Sequence, residues 1–354
     1  MSDEPTPAGT SSVILHPSSS PYDAVLLVSF GGPEKPQDVM PFLENVLRGK
    51  NVPEARVREV AEHYELFGGV SPLNAENRAL LAALVAELTA HGPQLPVYWG
   101  NRNWHPLLAD TLRQMADDGV RRALAFVTSA FGCYSGCRQY LEDIERARQS
   151  VGPEAPAVDK LRLFFNHPGF IEPMAERVAA GLAQVPEDRR EAATLIYTAH
   201  SIPLAMAATC PYVEQLQEAC RLVSQRAGHG RWELCYQSRS GPPAQPWLGP
   251  DVGDRILALH RAGRLRDVVV APLGFLCEHM EVVYDLDVEL AALCDELGIA
   301  MVRAGVVGTH PRFVQMIREL ILERVDPARE RLSLGDLGPS PDCCPADCCV
   351  MRRL

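Results

Sequence analysis

A histidine and a row of carboxylates are the residues of this chain whose types and spacing best suit metal chemistry. His200 lies in "TAHSIP", directly after an apolar run. The carboxylates lie in "FLCEHMEVVYDLDVEL" at spacings of three, four and four, which on a helix puts them on roughly one face: Glu278, Glu281, Asp285 and Glu289. An imidazole opposite a carboxylate is a mixed nitrogen and oxygen ligand set that suits a first-row divalent metal such as iron.

Such a row of carboxylates can pass a divalent cation inward or protons outward. The alternatives are a structural histidine for His200 and a solvated acidic helix face for the carboxylates, which is the commoner use of a charge run. In favour of a site, the row begins where a strand ends and has apolar neighbours, Val282, Val283 and Leu286, that we expect to be buried.

Four of the eleven cysteines fall within the seven residues "CCPADCC", 343–349. In a reducing compartment a disulfide framework is not favoured, and adjacent cysteines form only a strained disulfide, so metal ligation competes as an explanation. The alternative is a flexible tail whose thiols are inert or bind zinc adventitiously. We expect five others to be small buried hydrophobic residues: Cys210, Cys220, Cys235, Cys277 and Cys294.

Bulk composition indicates an ordinary globular protein. The 354 residues are 47% hydrophobic and 22% charged, and the formal net charge of −11 argues against a nucleic-acid partner. Residues 1–21 are rich in Pro, Ser and Thr and resemble a disordered tail more than a signal peptide. We predict no transmembrane segment and a cytoplasmic location.

Apolar runs typical of buried parallel strands alternate with helical patterns, which favours the α/β class. The predicted strands are 24–29, 97–99, 123–128, 194–198, 232–237, 268–272 and 299–303. The predicted helices are 77–90, 107–118, 138–150, 173–184, 212–227, 252–262 and 311–325.

Segments at the ends of the predicted strands echo one another between the two halves of the chain. "VSFGGP", "YWGNR" and "VTSAFG" in the first half match "TAHSIP", "YQSRSG" and "VAPLGF" in the second. We therefore predict two similar Rossmann-like, doubly wound lobes with a ligand cleft between them, because ligands of such sheets lie beyond the carboxyl ends of the strands. The predicted domains are a tail (1–21), a first lobe (22–155), a second lobe (156–335) and a Cys-rich tail (336–354).

A glycine-rich phosphate loop is absent from the sequence, and so is a Walker motif. "FGGVSPLN", 67–74, precedes a predicted helix and offers backbone N–H groups to an anion. A helix cap at Ser71 with Pro72 in the first turn explains the same residues equally well.

Six motifs, in order, resemble those of the ferrochelatase family, most closely the actinobacterial type that uses coproporphyrin. They are "LLVSFGGPEKPQDVMPFLENV", "HYELFGGVSPLN", "GNRNWHP", "TAHSIP", "YQSRSGPPAQPWLGPD" and "GFLCEHMEVVYDLDVE", spanning about residues 22–321. The resemblance implies insertion of Fe²⁺ into a porphyrin held between the lobes, with release of two pyrrole N–H protons. It also implies that the iron meets His200 and Glu281, with Asp285 and Glu289 continuing the acidic path.

The resemblance further implies a set of porphyrin contacts: Tyr64, Ser71, Tyr140 and Arg48. Some relatives have Tyr at the position of Phe30, so we expect no axial phenol ligand here and expect the ring of Phe30 to stack on the macrocycle.

Some ferrochelatases hold a [2Fe-2S] cluster with C-terminal cysteines and one internal cysteine. Cys344, Cys348 and Cys349 resemble the tail pattern, and Cys137 in "YSGCRQY" matches the internal ligand. Cys343 and Cys133 are the alternative ligands.

The expected function is insertion of Fe²⁺ into coproporphyrin III to give coproheme in heme biosynthesis. The alternatives are a chelatase for protoporphyrin IX, a chelatase for another metal or tetrapyrrole, and a non-catalytic heme or iron carrier. The expected partners are the porphyrin, ferrous iron and, transiently, neighbouring enzymes of the heme pathway.

Overall fold

A computed structural model describes residues 20–49, 52–241 and 244–351. Most of the tail predicted at 1–21 therefore lies outside the described residues. The described part contains two four-stranded parallel sheets, which confirms the α/β class and the two Rossmann-like lobes.

The first sheet has the strand order β2-β1-β3-β4, and the second sheet repeats it as β6-β5-β7-β8. The strands of the first sheet are β1 (Ala24–Ser29), β2 (Val97–Asn101), β3 (Arg122–Val127) and β4 (Ala157–Lys160). Those of the second are β5 (Thr194–His200), β6 (Trp232–Gln237), β7 (Asp267–Ala271) and β8 (Ala300–Arg303).

The boundary predicted after residue 155 is wrong by one strand. Ala157–Lys160 falls in the predicted second lobe, yet it pairs with β3 in the first sheet. This strand was not predicted because it is a short edge strand of mixed polarity and lacks the apolar run that marks the others.

Helices cover both faces of each sheet. In the first lobe they are α1 (Val39–Leu47), α2 (Glu54–Glu65), α3 (Leu73–His91), α4 (Leu108–Asp117) and α5 (Gln139–Val151). The second half of the chain contributes α6 (Pro168–Gln184), α7 (Glu187–Arg190), α8 (Leu204–Ala207), α9 (Tyr212–Ala227), α10 (Val252–Arg261), α11 (Met280–Val283), α12 (Ala291–Glu296) and α13 (Pro311–Val325).

Alternate residues of each strand face different helical layers, as the two-residue period of a strand requires. Val25 and Leu27 of β1 face a core that both lobes share, built on α3, α6, α9 and α13. Leu26 faces a separate core under α4 and α5, and the second lobe has a matching outer core under α10 and α12. The shared core fixes the two sheets against one another.

Two helices that the sequence did not predict, α1 and α2, form a small cluster of their own. Phe42 and Tyr64 pack there edge to face, with ring centroids 6.0 Å apart, and Met280 of the second lobe completes the cluster. The first lobe therefore contacts the segment that carries the acidic row.

The acidic row does not lie on one regular helix, so that expectation is corrected. After α11 the chain forms a π-helix, Asp285–Leu290, before α12 begins. Glu278 precedes the helix and forms a 2.9 Å ion pair with Arg303, which separates it from the other three carboxylates. A second π-helix, Tyr134–Arg138, opens α5 at the corresponding place in the first lobe.

Candidate functional site

His200 and Glu281 lie together at the carboxyl end of the second sheet. Nε2 of His200 is 3.3 Å from Oε1 of Glu281, and the two side chains are 30% and 48% exposed. His200 is the last residue of β5, and Glu281 is in the first turn of α11, which comes after β7. Because β5 and β7 are neighbours in a parallel sheet, the residues just beyond the two strands meet at one edge.

The tautomer of His200 is determined by its second contact. Nδ1 lies within hydrogen-bonding distance of the Ser201 carbonyl, which only accepts, so Nδ1 carries a hydrogen. In the neutral ring, Nε2 therefore presents a lone pair toward Glu281. A lone pair at this place can bind a metal ion or accept a proton.

The charge state of His200 is set by its acidic neighbours. Burial lowers its pKa, but the charge of Glu281, the hydrogen bonds to Glu281 and the Ser201 carbonyl, and the charge of Asp285 outweigh burial. The pKa of His200 therefore lies above its usual value of 6.5, and an imidazolium–carboxylate pair forms readily in the absence of metal.

Asp285 is the second residue of the predicted acidic path. Its carboxylate accepts hydrogen bonds from the hydroxyl of Ser238 and, at 3.4 Å, from the amide of Gln237. Burial and the charges of Glu281 and Glu289 raise its pKa to about 7, against the opposing effect of those hydrogen bonds. Asp285 can therefore exchange a proton near neutral pH.

Glu289, the last residue of the predicted acidic path, is exposed. It interacts with the hydroxyl of Tyr284, whose ring stacks on His63 of α2 with centroids 3.8 Å apart. Burial lowers the pKa of His63, although the charge of Glu289 opposes that effect. Both lobes therefore border the outer end of the path.

His279 supports the Glu281 segment from just before α11. Its Nδ1 accepts the backbone N–H of Glu281 at 3.2 Å. Burial lowers the pKa of His279, and the nearby His200 lowers it further, while Glu281 opposes both. His279 therefore acts as a neutral helix cap.

The predicted porphyrin contacts are divided between exposed and buried positions. Phe30 is 36% exposed just beyond β1, and Arg48 is exposed and bonded to Asn45. Tyr64, Ser71 and Tyr140 are between 3% and 9% exposed. The structure does not gather these five residues into one exposed surface.

Arg102 connects two of these predicted contacts and was missed by sequence reasoning. Its guanidinium carbon lies 5.6 Å from the ring centroid of Phe30 and 4.4 Å from that of Tyr140, and it is ion-paired with Asp143. Arg102 lies in "GNRNWHP" just beyond a strand end, so the rule that located His200 was able to find it.

Ser71 matches the capping alternative only in its hydrogen bond, because the N-cap of α3 is Pro72, one residue later than predicted. Its Oγ accepts the backbone N–H of Leu73, the first residue of α3, at 3.3 Å. It also lies against Gly32, where an added Cβ would approach the Cβ of Ser71 to 2.8 Å. The two predicted loops "VSFGGP" and "FGGVSPLN" therefore pack directly on one another.

The C-terminal tail is docked on the body of the protein. Nη1 of Arg138 donates to the carbonyls of Ala346 and Cys348. On the other side, the backbone N–H of Cys349 donates to the carbonyl of Thr209 at 3.2 Å. The tail thus contacts the first lobe through Arg138 and the second lobe through Thr209.

The docked tail, which carries three of the predicted cluster thiols, is held by Arg138, the residue that follows the fourth, Cys137. Cys137 and Cys349 are 5% and 3% exposed, and the Sγ atoms of Cys348 and Cys349 are 3.5 Å apart. Burial, together with the thiols of Cys348 and Cys137, raises the pKa of Cys344 to about 11. Within the ranges described, however, no three His, Cys, Asp or Glu side chains are already arranged as a metal site.

The two alternative ligands differ in accessibility. Cys343 is exposed, whereas Cys133 is buried and its Sγ accepts the backbone N–H of Gly136 at 3.2 Å. Of the cysteines expected to be small buried hydrophobic residues, Cys220, Cys235 and Cys294 are fully buried, while Cys210 and Cys277 are partly exposed.

No helix in the described ranges is long and apolar enough to cross a membrane.

Comparison with known structures shows the fold. The chain resembles "SirB from Bacillus subtilis with Fe3+" with a TM-score of 0.52 at 13% identity, covering 85% of this chain and 96% of that one. It also resembles the sirohydrochlorin chelatase SirB from Bacillus subtilis subspecies spizizenii in complex with cobalt, with a TM-score of 0.50 at 12% identity, covering 85% and 94%.

Sequence comparison shows the family. A protein named ferrochelatase from Rhodopirellula baltica is 58% identical over 93% of this chain and 94% of its own length. Two named coproporphyrin III ferrochelatase, from Streptomyces griseus and Frankia alni, are 51% and 54% identical over 94% of this chain and 94% and 87% of their own lengths. The family model described as Ferrochelatase matches residues 22–325, and the chain therefore belongs to the ferrochelatase family.

Proposed function

We propose that this protein inserts Fe²⁺ into coproporphyrin III, giving coproheme and two protons for heme biosynthesis. The observation that carries the proposal is the 3.3 Å pair of His200 and Glu281 at the sheet edge, with Asp285 and Glu289 leading outward. The named substrate of the relatives from Streptomyces griseus and Frankia alni supports coproporphyrin as the porphyrin.

In the proposed reaction, Fe²⁺ moves from Glu289 past Asp285 to the His200–Glu281 pair. Nε2 of His200 and a carboxylate oxygen of Glu281 replace water around the ion, as a mixed nitrogen and oxygen set can. The ion then passes to the four pyrrole nitrogens, two of which lose their protons. The reaction is balanced: one Fe²⁺ enters, two protons leave, and no electron is transferred.

The protons need acceptors whose pKa values lie near neutral pH. After the ion has passed to the pyrrole nitrogens, the free Nε2 of His200 can accept one of their protons, and Asp285, with a pKa of about 7, passes a proton toward solvent. The acidic path thus serves iron in one direction and protons in the other.

The proposed porphyrin contacts begin with the two exposed residues. Phe30 offers its ring face to the macrocycle, and Arg48 offers a guanidinium to a propionate. Contacts by Tyr64, Ser71 and Tyr140 remain predictions carried over from the family resemblance.

We also propose a [2Fe-2S] cluster at the docked tail, with Cys137, Cys344, Cys348 and Cys349 as its ligands. The docking of the tail on Arg138, next to Cys137, supports it, as does the left-handed backbone of Cys349 (φ 55°), since such strain concentrates at functional sites. When bound, the cluster would supply an iron–sulfur redox group held by four thiolates. Because iron insertion transfers no electrons, the role we propose for its ligands is to tie the tail to the first lobe.

The experiment that tests the function is anaerobic Fe²⁺ insertion with coproporphyrin III and protoporphyrin IX assayed side by side by absorbance. Preferred turnover of coproporphyrin is the expected result. Preference for protoporphyrin keeps the reaction and changes the substrate. Binding of both porphyrins and of iron without turnover indicates a carrier and overturns the proposal.

The cluster is tested on the purified protein before porphyrin is added, by its visible absorbance and its iron and sulfide content. Cys137→Ser should abolish both, because it removes one of four ligands. The matched control is Cys220→Ser, which replaces a fully buried thiol of the shared core and should leave iron and sulfide per folded protein unchanged. Equal iron and sulfide contents in the two variants would count against Cys137 as a ligand.

A further inference from the structure

Gln237 connects the strand that flanks His200 to the segment that carries the acidic path. It is the last residue of β6 and is paired in register with His200 on β5. Its amide nitrogen donates to the backbone carbonyl of Glu281 and, at 3.4 Å, to the carboxylate of Asp285. One side chain therefore contacts both Glu281 and Asp285 of the acidic path.

Gln237 is buried, and the hydrogen bonds that its amide nitrogen donates explain why a polar residue occupies this position. The residue is 2% exposed, and its Oε1 has no hydrogen-bond partner within the described ranges. An unpaired buried carbonyl oxygen costs free energy that an apolar side chain would not. The amide is therefore best explained by what its nitrogen holds.

The neighbouring Ser238 repeats the arrangement at some conformational cost. Its φ of 59° places a non-glycine residue in the left-handed region. In that conformation its hydroxyl donates to the same oxygen of Asp285 that Gln237 contacts. Two consecutive residues at the end of β6 thus hold the acidic segment.

The held segment is irregular and needs an external anchor. Glu281 lies in a helix of four residues, and a π-helix begins at Asp285. The i to i−4 bonds of α11, such as that from Tyr284 to Met280, give way to π-helical bonds, such as that from Glu289 to Tyr284, so no single regular ladder runs from Glu281 to Glu289. The side-chain amide of Gln237, at the end of β6, anchors this segment by donating to the carbonyl of Glu281.

We propose that Gln237 is a positioning residue for metal insertion: it holds the backbone of Glu281 and the carboxylate of Asp285 so that Glu281 faces Nε2 of His200. This inference rests on the proposed function, since it concerns how the same pair receives iron. Gln237 contacts neither iron nor porphyrin in this role and acts only through the two carboxylate residues.

The role predicts a specific kinetic pattern. Misplacing a reacting group by about 1 Å can cost on the order of 100-fold in rate, whereas porphyrin binding depends on other residues. Gln237→Leu, which has similar bulk and no donor, should lower kcat for iron insertion by about 10- to 100-fold. The Kd for porphyrin, measured by fluorescence quenching, should stay within about twofold.

A second readout does not depend on turnover. Co²⁺ added to the porphyrin-free protein should bind at the His200–Glu281 pair and give d–d absorption bands that report its ligands. Gln237→Leu should change those bands and weaken Co²⁺ binding, and Gln237→Glu, which keeps the shape but replaces the donor with an oxygen, should resemble Gln237→Leu. If wild-type protein inserts no iron, the proposed function fails, while the cobalt bands still test Gln237.

The matched control is Gln215→Leu. Gln215 is also a buried glutamine of the second half of the chain, and its Oε1 accepts the backbone N–H of Gly132 at 2.7 Å, away from the acidic path. It should lower the melting temperature and leave the cobalt bands unchanged. Equal kcat losses in the two leucine variants, or wild-type cobalt bands in Gln237→Leu, would overturn the proposal.

Ser238→Ala covers the case in which Gln237→Leu does not fold. It removes one hydrogen bond to Asp285 and leaves both bonds of Gln237 in place, so kcat should fall by about two- to fivefold. In Gln237→Glu the same Ser238→Ala change should have a smaller effect, because both side chains act on one carboxylate. Full additivity of the two changes would contradict a shared action through Asp285.

Discussion

The two lobes share a strand order but use the ends of their strands in opposite ways. The last registered pair of the first lobe is Ser29 with Asn101, and that of the second is His200 with Gln237. Ser29 and Asn101 are fully buried, and Asn77 donates to Ser29 Oγ at 2.7 Å. His200 is 30% exposed and faces a carboxylate.

Asn101 in the first lobe and Gln237 in the second occupy equivalent positions but differ in how completely they are hydrogen-bonded. Its amide oxygen accepts from Trp99 at 3.0 Å, and its nitrogen donates to Asn74 and to the carbonyl of His105. Every polar group of this side chain is therefore engaged in holding loops, whereas the Oε1 of Gln237 has no partner among the described residues. The same position in the fold serves as scaffold in the first lobe and belongs to the proposed site in the second.

The π-helices show the same division. Each comes after the third strand of its sheet, where a π-turn often marks a functional site. That of the first lobe carries the thiol of Cys137 and the guanidinium that holds the tail, and that of the second begins with Asp285. A duplicated backbone feature thus carries a proposed cluster ligand in the first lobe and a carboxylate of the proposed iron and proton path in the second.

The largest expected effect comes from removing the imidazole of the second lobe. His200→Ala should lower iron insertion by about 1000-fold or more, since it removes both a metal ligand and a proton acceptor. Porphyrin binding, followed by fluorescence quenching, should be retained. His91→Ala, at an exposed histidine at the end of α3, is the control and should turn over normally. Near-normal turnover of His200→Ala would refute the assignment.

The next effect depends on pH. With a pKa of about 7, Asp285 is charged at pH 8 and largely protonated at pH 6. The attraction of its carboxylate for Fe²⁺ is therefore lost as the pH falls. The ratio of wild-type to Asp285→Asn turnover should be about tenfold at pH 8 and should approach one at pH 6. A ratio cancels the titration of groups that the substitution leaves unchanged; the pKa of His200 should itself fall in Asp285→Asn, because the charge of Asp285 helps to raise it. A ratio independent of pH would exclude Asp285 as the titrating group.

The same substitution, Asp285→Asn, should increase stability at pH 8 although it lowers turnover there. The folded pKa of Asp285 is raised from 3.8, so its contribution to stability is full below about pH 3.8 and is lost as the pH rises through about 7. Asp285→Asn should therefore raise the free energy of unfolding at pH 8 by about 1 to 2 kcal/mol, a value discounted for solvent screening. Asp110→Asn, at an exposed ion pair, is the control and should change it by less than about 0.5 kcal/mol. A fall in stability at pH 8 would contradict the raised pKa.

The sequence predicted the elements that depend on strong local patterns. Helices 212–227 and 311–325 and strand 232–237 match the structure at both ends, because their apolar periods are long or their limits are marked by Pro and Gly. Helix α6 begins at Pro168 and not at Pro173, since His167 caps it by accepting the N–H of Gly169. That cap depends on a buried histidine, which no local pattern distinguishes from others.

Candidate site residues could be predicted where a residue type suited to metal chemistry follows a predicted strand. His200 ends β5, Glu281 is in the first turn of the helix that follows β7, and the structure brings the two together. Gln237 and Arg102 lie at strand ends too, but amides and paired cations suggest no chemistry by type alone, so only their contacts reveal them. Glu278 did not join the predicted acidic row because its partner, Arg303, is 25 residues away in the sequence and no local pattern indicates that pair.

The smallest expected effect on turnover comes from a substitution in the first lobe, where the strand ends serve as scaffold. Ser29→Ala removes the acceptor of Asn77 in a fully buried place, so the free energy of unfolding should fall by about 1 to 3 kcal/mol. Turnover per folded molecule should stay within about threefold of wild type, because Ser29 holds α3 against β1 and faces no reacting group. Thermal or urea unfolding and steady-state insertion measure the two quantities separately. A large loss of kcat without a loss of stability would mean that the first lobe contributes to the chemistry, and that the division of labour between the strand ends does not hold.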